Sequence, residues 1–287
     1  MESLTDIGYI KSVLSKHGFH FSKSLGQNFL TNPSVCPRMA EACGLTKEYG
    51  ALEVGPGCGV LTRELANLAG DVVALELDER LFPVLKETLA GQDNVKVIHG
   101  DVLKTDLHEL LNREFGNRPV AVCANLPYYI TSPVIMYLLE SRLPVECITV
   151  MVQKEAADRL CAKPGTRECG AVTLAVQYYA EAEKLFSVSR GSFIPSPNVD
   201  SAVIRLTPRK ELPLQDKDEK RLFSLIKSAF GQRRKTLTNS LQGAGYSRAQ
   251  VVDILDKAGI LQTARAEQLT MEQFMALNEA AKEISGP

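Results

Sequence analysis

The stretch Leu52-Glu53-Val54-Gly55-Pro56-Gly57-Cys58-Gly59-Val60-Leu61 decides the fold. The apolar run Gly50 to Val54 ends in glycines at alternate positions, and Val60 to Leu68 then repeats apolar residues at helical spacing. Strand, glycine turn and helix in that order form the first corner of a doubly wound sheet. The glycines let the chain turn sharply and let a ligand approach the backbone. Working outward, Val72–Leu77 reads as a buried strand, Val95–Ile98, Val120–Ala124 and Cys147–Val152 read as the strands that follow, and Arg80–Leu89 reads as a helix. Continuous apolar strands alternating with helical stretches predict a parallel sheet covered on both faces.

Residues 1–48 read as mainly helical, broken by the polar segment Ser22 to Asn28. Past the fifth strand, Lys154–Ala180 reads as helical apart from a break at Lys163-Pro164-Gly165. Lys184–Val188 and Ala202–Leu206 are two further strands, and the polar stretch Pro208–Lys217 is a linker. Glu219–Phe230, Arg234–Leu241, Ala249–Ala258 and Met271–Ile284 then carry helical periodicity. The expected architecture is α/β. A doubly wound, Rossmann-like sheet with an N-terminal cap segment occupies residues 1–210, and a small all-helical domain occupies 211–287.

The strand ends carry the chemistry. A dinucleotide loop requires a third glycine where this chain has Val60, and Glu53 precedes the turn. An acidic residue there suits a cationic ligand better than a pyrophosphate. S-adenosylmethionine, with an ammonium, a sulfonium and no phosphate, has that character. Glu76 ends the second strand 21 positions after Gly55, where a carboxylate accepts from ribose hydroxyls, a feature nicotinamide enzymes share. Asp101, in His99-Gly100-Asp101-Val102, is placed to accept from an adenine amine.

After the fourth strand comes Asn125-Leu126-Pro127-Tyr128-Tyr129. An exocyclic adenine amine is a poor nucleophile because its lone pair is delocalised into the ring. Two acceptors aimed at its hydrogens, the Asn125 side-chain oxygen and the Leu126 carbonyl, favour a pyramidal nitrogen with a localised pair. Pro127 biases Leu126 towards an extended backbone. Tyr128 offers a ring for stacking on a base. By itself the segment also suits an ordinary Asn–Pro turn, or methylation of DNA or protein.

Composition excludes some classes. Hydrophobic residues make up 45% of the 287 and charged residues 23%, which is ordinary for a globular protein. No apolar run is long enough to span a bilayer, and the polar start carries no secretory signal, so a cytoplasmic location is expected. Seven cysteines without a Cys-x-x-Cys pair point to free thiols and no metal site. The net charge is −1, but Lys220 to Ser240 holds six cations and no acid. Such a patch fits phosphate contacts as well as a solvated helix face.

Taken together, these residues resemble the small-subunit ribosomal RNA adenine dimethyltransferases over nearly the whole chain. The resemblance rests on Leu25-Gly26-Gln27-Asn28-Phe29-Leu30, Glu53 to Thr62, Asn125 to Tyr128, Gln153-Lys154-Glu155, Phe193 to Ala202 and Phe230 to Thr236. It implies that S-adenosylmethionine meets Gln27, Asn28, Leu30, Gly55, Gly57, Glu76, Asp101 and Asn125. Asn125, Leu126, Pro127 and Tyr128 then face the reacting amine, with Phe193 stacking opposite Tyr128. A helix bearing Arg233, Arg234 and Lys235 contacts RNA. The implied substrate is two adjacent adenosines in the 3′-terminal hairpin of small-subunit rRNA, within an immature small subunit met by a monomer. Some relatives have Asn where this chain has Tyr129. Competing readings are a large-subunit rRNA adenine methyltransferase, a ribosome-assembly or transcription factor without catalysis, and a nicotinamide oxidoreductase.

Overall fold

The computed structural model describes residues 3–19, 27–232 and 234–285. Arg233 and the Leu25-Gly26 pair lie outside them. In chain order the strands are β1 (Phe29–Leu30), β2 (Gly50–Val54), β3 (Asp71–Glu76), β4 (Val95–His99) and β5 (Val120–Asn125). They continue with β6 (Cys147–Gln153), β7 (Ala180–Val188), β8 (Phe193–Ile194) and β9 (Ser201–Pro208). Seven of them form one sheet in the order β4-β3-β2-β5-β6-β9-β7, and β1 pairs with β8 in a separate two-residue ladder.

β2 is central and wholly buried, Glu53 included, with β3 and β5 parallel on either side. From β2 the chain steps outward through β3 to β4, then crosses back to β5 and steps the other way to β6. The crossovers thus diverge between β2 and β5. That switch point opens a crevice at the carboxyl ends of the strands. The pairing Val54↔Ala124 sets Gly55 level with Asn125 across it. Lys47 Nζ donates to the Ala66 and Ala69 carbonyls at 3.0 and 2.9 Å, capping the Val60–Leu68 helix.

The structure corrects two sequence expectations here. The sheet is not all parallel, because β9 inserts antiparallel beside β6. Apolar periodicity reads the same in either direction, so strand sense was invisible. The chain also divides differently. One compact unit runs to Ala157 and resumes at Ala182–Pro208, while the second takes Asp158–Glu181 together with the chain from Arg209 onward. The reason is aromatic packing. Tyr179 stacks on Phe223 at 5.6 Å, Tyr178 meets that ring edge-on at 5.2 Å, and Glu219 accepts from both tyrosine hydroxyls. The Ala171–Tyr179 helix is thereby bound to the Asp216–Gly231 helix. Leu222, Leu225, Ile226, Val251, Ile254, Phe274 and Leu277 form the apolar interior of this helical unit.

Candidate active site

The crevice between β2 and β5 opens into a cleft of about 1160 Å³ including its mouth. Gln27, Asn28, Leu30, Gly55, Gly57, Glu76, Asp101 and Asn125 all line it, and so do Leu126, Pro127, Tyr128 and Tyr129. Residues drawn from five separate stretches of sequence therefore meet in one cavity.

At one end the carboxylates are already positioned. Glu76 is 6% exposed; its Oε1 accepts from the Asp78 N–H at 2.8 Å and its Oε2 from the Gly57 N–H at 3.3 Å. Burial pushes its carboxyl up, and the two backbone donors pull it back. A carboxylate has about four acceptor positions, so lone pairs remain for ribose hydroxyls. Asp101 accepts from the Leu103 N–H at 3.0 Å through Oδ1, with Lys104 3.6 Å from Oδ2. Glu53 stands apart. It is 1% exposed, Oε2 has no hydrogen-bond partner among the described residues, and burial, aided by the Glu76 charge, pushes it up to about 8. A buried orphan acceptor is costly, and a cationic ammonium in the cleft would satisfy it. By that test the cleft fits S-adenosylmethionine.

A strap crosses the cleft. β1 is held to β8 by the pairs Phe29↔Ile194 and Leu30↔Phe193, extended by Thr31 N–H to the Ser192 carbonyl at 2.8 Å. At the other side Gln27 Nε2 donates to Asp78 Oδ2 at 2.8 Å. Arg80 grips the same carboxylate through Nε and Nη2, at 2.8 and 2.6 Å, and holds it below the usual carboxylate range. Gly57 lies under the strap at φ +60°, and a Cβ there would come 3.1 Å from the Phe29 ring. Only glycine meets both demands. The sequence reading missed Asp78. Its signal was the Asp-x-Arg spacing directly after Glu76, which favours a local carboxylate–guanidinium pair.

At the other end few bonds are made in advance. Asn125 Nδ2 donates to the Asn28 carbonyl at 3.5 Å, which sets Oδ1 as the acceptor end of the amide. The Leu126 N–H is taken by the Met151 carbonyl at 3.2 Å. Pro127, at φ −57° and ψ 134°, sends the chain into a short turn over Tyr128–Ile130. The Tyr128 hydroxyl lies 2.7 Å from Ser201 Oγ on β9. Tyr129 is 55% exposed.

Two expected roles are not seen. Phe193 does not line the cleft; it is 5% exposed and packs in the apolar cluster with Leu30, Met39 and Met151. Its pairing with Leu30 directs the ring into the core beneath the strap instead of opposite Tyr128. Arg234 and Lys235 are exposed but not helical. They occupy the turn between the helix ending at Gly231 and the one beginning at Leu237. Of the other cations in that patch, Arg221 is bound to Asp218 and Asn278 within its own unit. Among the described residues no cluster of His, Cys, Asp and Glu could hold a metal, and no helix is long and apolar enough to cross a membrane.

Comparison with known proteins agrees with this geometry. The family profile described as Ribosomal RNA adenine dimethylase matches residues 18–283. Proteins named Ribosomal RNA small subunit methyltransferase A are similar over almost their whole length. That of Geobacillus sp. (strain WCH70) is 47% identical, covering 96% of this chain and 97% of the relative. That of Bacillus cereus (strain B4264) is 46% identical, covering 98% of each. Among solved structures, the 23S rRNA methyltransferase ErmE is 32% identical with a TM-score of 0.69, over 88% of this chain and 99% of that one. A dimethyladenosine transferase from Plasmodium falciparum is 27% identical with a TM-score of 0.74, over 87% of this chain and 95% of that one.

Proposed function

This chain belongs to the ribosomal RNA adenine dimethylase family, and from that premise we propose how its own residues perform the reaction and on which RNA. It is an S-adenosylmethionine-dependent rRNA adenine dimethyltransferase acting on the exocyclic amine N6. The proposed substrate is the pair of adjacent adenosines in the 3′-terminal hairpin of small-subunit (16S) rRNA. We place the reaction in the cytoplasm, on an immature small subunit approached by a monomer, where binding also serves as an assembly checkpoint. The supporting comparison is 47% identity to a small-subunit enzyme against 32% to a large-subunit one.

In this reading Glu53, Gly55, Gly57, Glu76 and Asp101, with Gln27, Asn28 and Leu30 above them, hold S-adenosylmethionine. Bound there, it supplies an electrophilic methyl group on a sulfonium. Asn125 Oδ1 and the Leu126 carbonyl accept the two amine hydrogens and localise the nitrogen lone pair. Tyr128 lies against the face of the extruded adenine. No strong general base is required, because the methylated amine is acidic enough to lose its proton to water. Alignment and electrostatic positioning then supply the rate. Arg234 and Lys235, together with Arg233, contact phosphates. The observation that carries the chemistry is that Asn125 opens into the same cleft as Glu76 and Asp101. The test is labelled methyl transfer to unmodified small subunits, large subunits and free rRNA. Small subunits are the expected acceptor, and labelling of large subunits alone would overturn the assignment.

A further inference from the structure

The segment Phe193 to Ala202 was singled out by sequence, yet Phe193 itself is core. Its last polar residue, Ser201, is different. Ser201 is fully buried at the start of β9, opposite Gln153 on β6. Its Oγ lies 2.7 Å from the Tyr128 hydroxyl, and either oxygen can be the donor. The residue before it is fixed twice: the Asp200 carbonyl accepts from the Lys154 N–H at 3.0 Å, and Asp200 Oδ1 accepts from the Arg190 N–H at 2.9 Å. Ser201 is therefore a rigid point, set by a strand register, at the far end of a tyrosine whose near end lines the cleft.

A phenol has one proton and a ring. If its oxygen is engaged by a buried serine, the hydroxyl is withdrawn from acid–base work and from base-edge recognition. What remains to meet a substrate is the ring face, in an orientation the hydrogen bond selects. A short side chain on a strand cannot follow a moving partner, so the bond pins the phenol oxygen and restricts swinging of the ring tip. Because hydrogen bonds at a phenol oxygen lie near the ring plane, it also biases rotation about the long axis. Stacking depends on ring orientation, and a misplacement of the order of 1 Å can cost about a hundredfold in rate.

We propose that Ser201 is a positioning residue for methyl transfer, holding the Tyr128 ring in the plane that receives the target adenine. This rests on the reading of Tyr128 as the base-stacking residue. The bond also makes Tyr128 act through its ring alone.

The experiment compares Ser201→Ala, Ser201→Thr, Tyr128→Phe, Tyr128→Ala and the double variant Ser201→Ala/Tyr128→Phe in the full chain. Unmethylated small subunits are the acceptor, and S-adenosylmethionine affinity is measured separately by calorimetry. Ser201→Ala is expected to lower kcat about tenfold while cofactor affinity stays within twofold. Ser201→Thr keeps the hydroxyl and restores most of the rate. Tyr128→Phe matches Ser201→Ala, and the double variant is no slower than either, because all three remove the same bond. Tyr128→Ala falls a further tenfold or more. If Ser201→Ala keeps parental kcat while Tyr128→Ala is severely impaired, Tyr128 stacks without help and the inference is overturned. Should Tyr128→Ala itself keep parental kcat, the stacking reading fails first. A fall in cofactor affinity equal to the fall in kcat marks a general structural defect and equally overturns the positioning role.

Discussion

The two ends of the cleft are built on opposite plans. At the cofactor end, Glu76 and Asp78 receive backbone and side-chain donors before any ligand arrives, and the strap is tied to Asp78 through Gln27. At the base end, among the described residues, the Asn125 side chain makes one long bond, the Tyr128 hydroxyl one bond, and Tyr129 is more than half exposed. The difference teaches what each end must do. A small cofactor of fixed shape rewards preorganisation. An adenine to be dimethylated must be accepted both unmodified and carrying one methyl, which needs a site whose polar groups are placed but not crowded.

The comparison is tested hardest at Asn125. Asn125→Ala is expected to lower kcat about 100- to 1000-fold with less than tenfold loss of cofactor affinity, the scale for removing one transition-state hydrogen-bonding group. A loss confined to cofactor binding would move Asn125 to the other end. Next, Glu76→Gln removes the charge and keeps the shape. It should weaken S-adenosylmethionine binding about 10- to 100-fold in calorimetry, since hydrogen bonds to charged groups are worth about 1.5–3 kcal/mol.

Glu53 sharpens the contrast because its two effects oppose each other. Its folded-state value of about 8 lies above the ordinary carboxylate value of 4.5. The folded chain therefore holds a proton that the unfolded chain has released. Its stability falls as pH rises from about 4.5 to about 8 and levels off above that. Glu53→Gln should thus raise the melting temperature of the ligand-free protein by a few degrees at pH 9 and leave it nearly unchanged at pH 5. The same variant should bind the cofactor more weakly. Equal melting temperatures at pH 9 would show that the carboxylate finds a partner. Smaller still, Gln27→Ala should raise the cofactor Kd about fivefold with kcat preserved, the share of one hydrogen bond. On the RNA side, Arg234→Gln/Lys235→Gln should reduce the slope of log affinity against log salt by up to about 2. An unchanged slope would return the turn to ordinary surface.

Sequence alone made legible which strand ends meet in one cleft, and carried less about how their side chains are held. Gly55, Glu76 and Asp101 could be brought together from sequence because each sits at or just beyond the carboxyl end of a strand, and strand ends in a doubly wound sheet converge. Phe193 was placed opposite Tyr128 by the resemblance alone, and the two-residue ladder that packs it with Leu30 in the core is set by a long-range pairing that no local pattern carries. Ser201 lay inside the segment Phe193 to Ala202 that the resemblance marked, but its bond to Tyr128 depends on the register of β9 against β6, which no local pattern carries. The same holds for Asp158–Glu181, whose helices look like a continuation of the sheet domain until Tyr178 and Tyr179 find Phe223. Arg221 counted as one of six cations until Asp218 claimed it.

The strap has a consequence for the order of folding. Asn32 Nδ2 donates to Ser192 Oγ at 3.2 Å across 160 positions of sequence. Closing so long a loop for a two-rung ladder is entropically prohibitive in an unstructured chain and becomes cheap once the intervening sheet has brought the ends together. On this ground the strap is expected to close after the sheet has formed. In a refolding experiment with pulsed hydrogen exchange, the Thr31 amide should gain protection later than the amides of β2 and β5. In that order the glycine loop and its carboxylates are in place before the strap, and the strap's share of cofactor binding is added last.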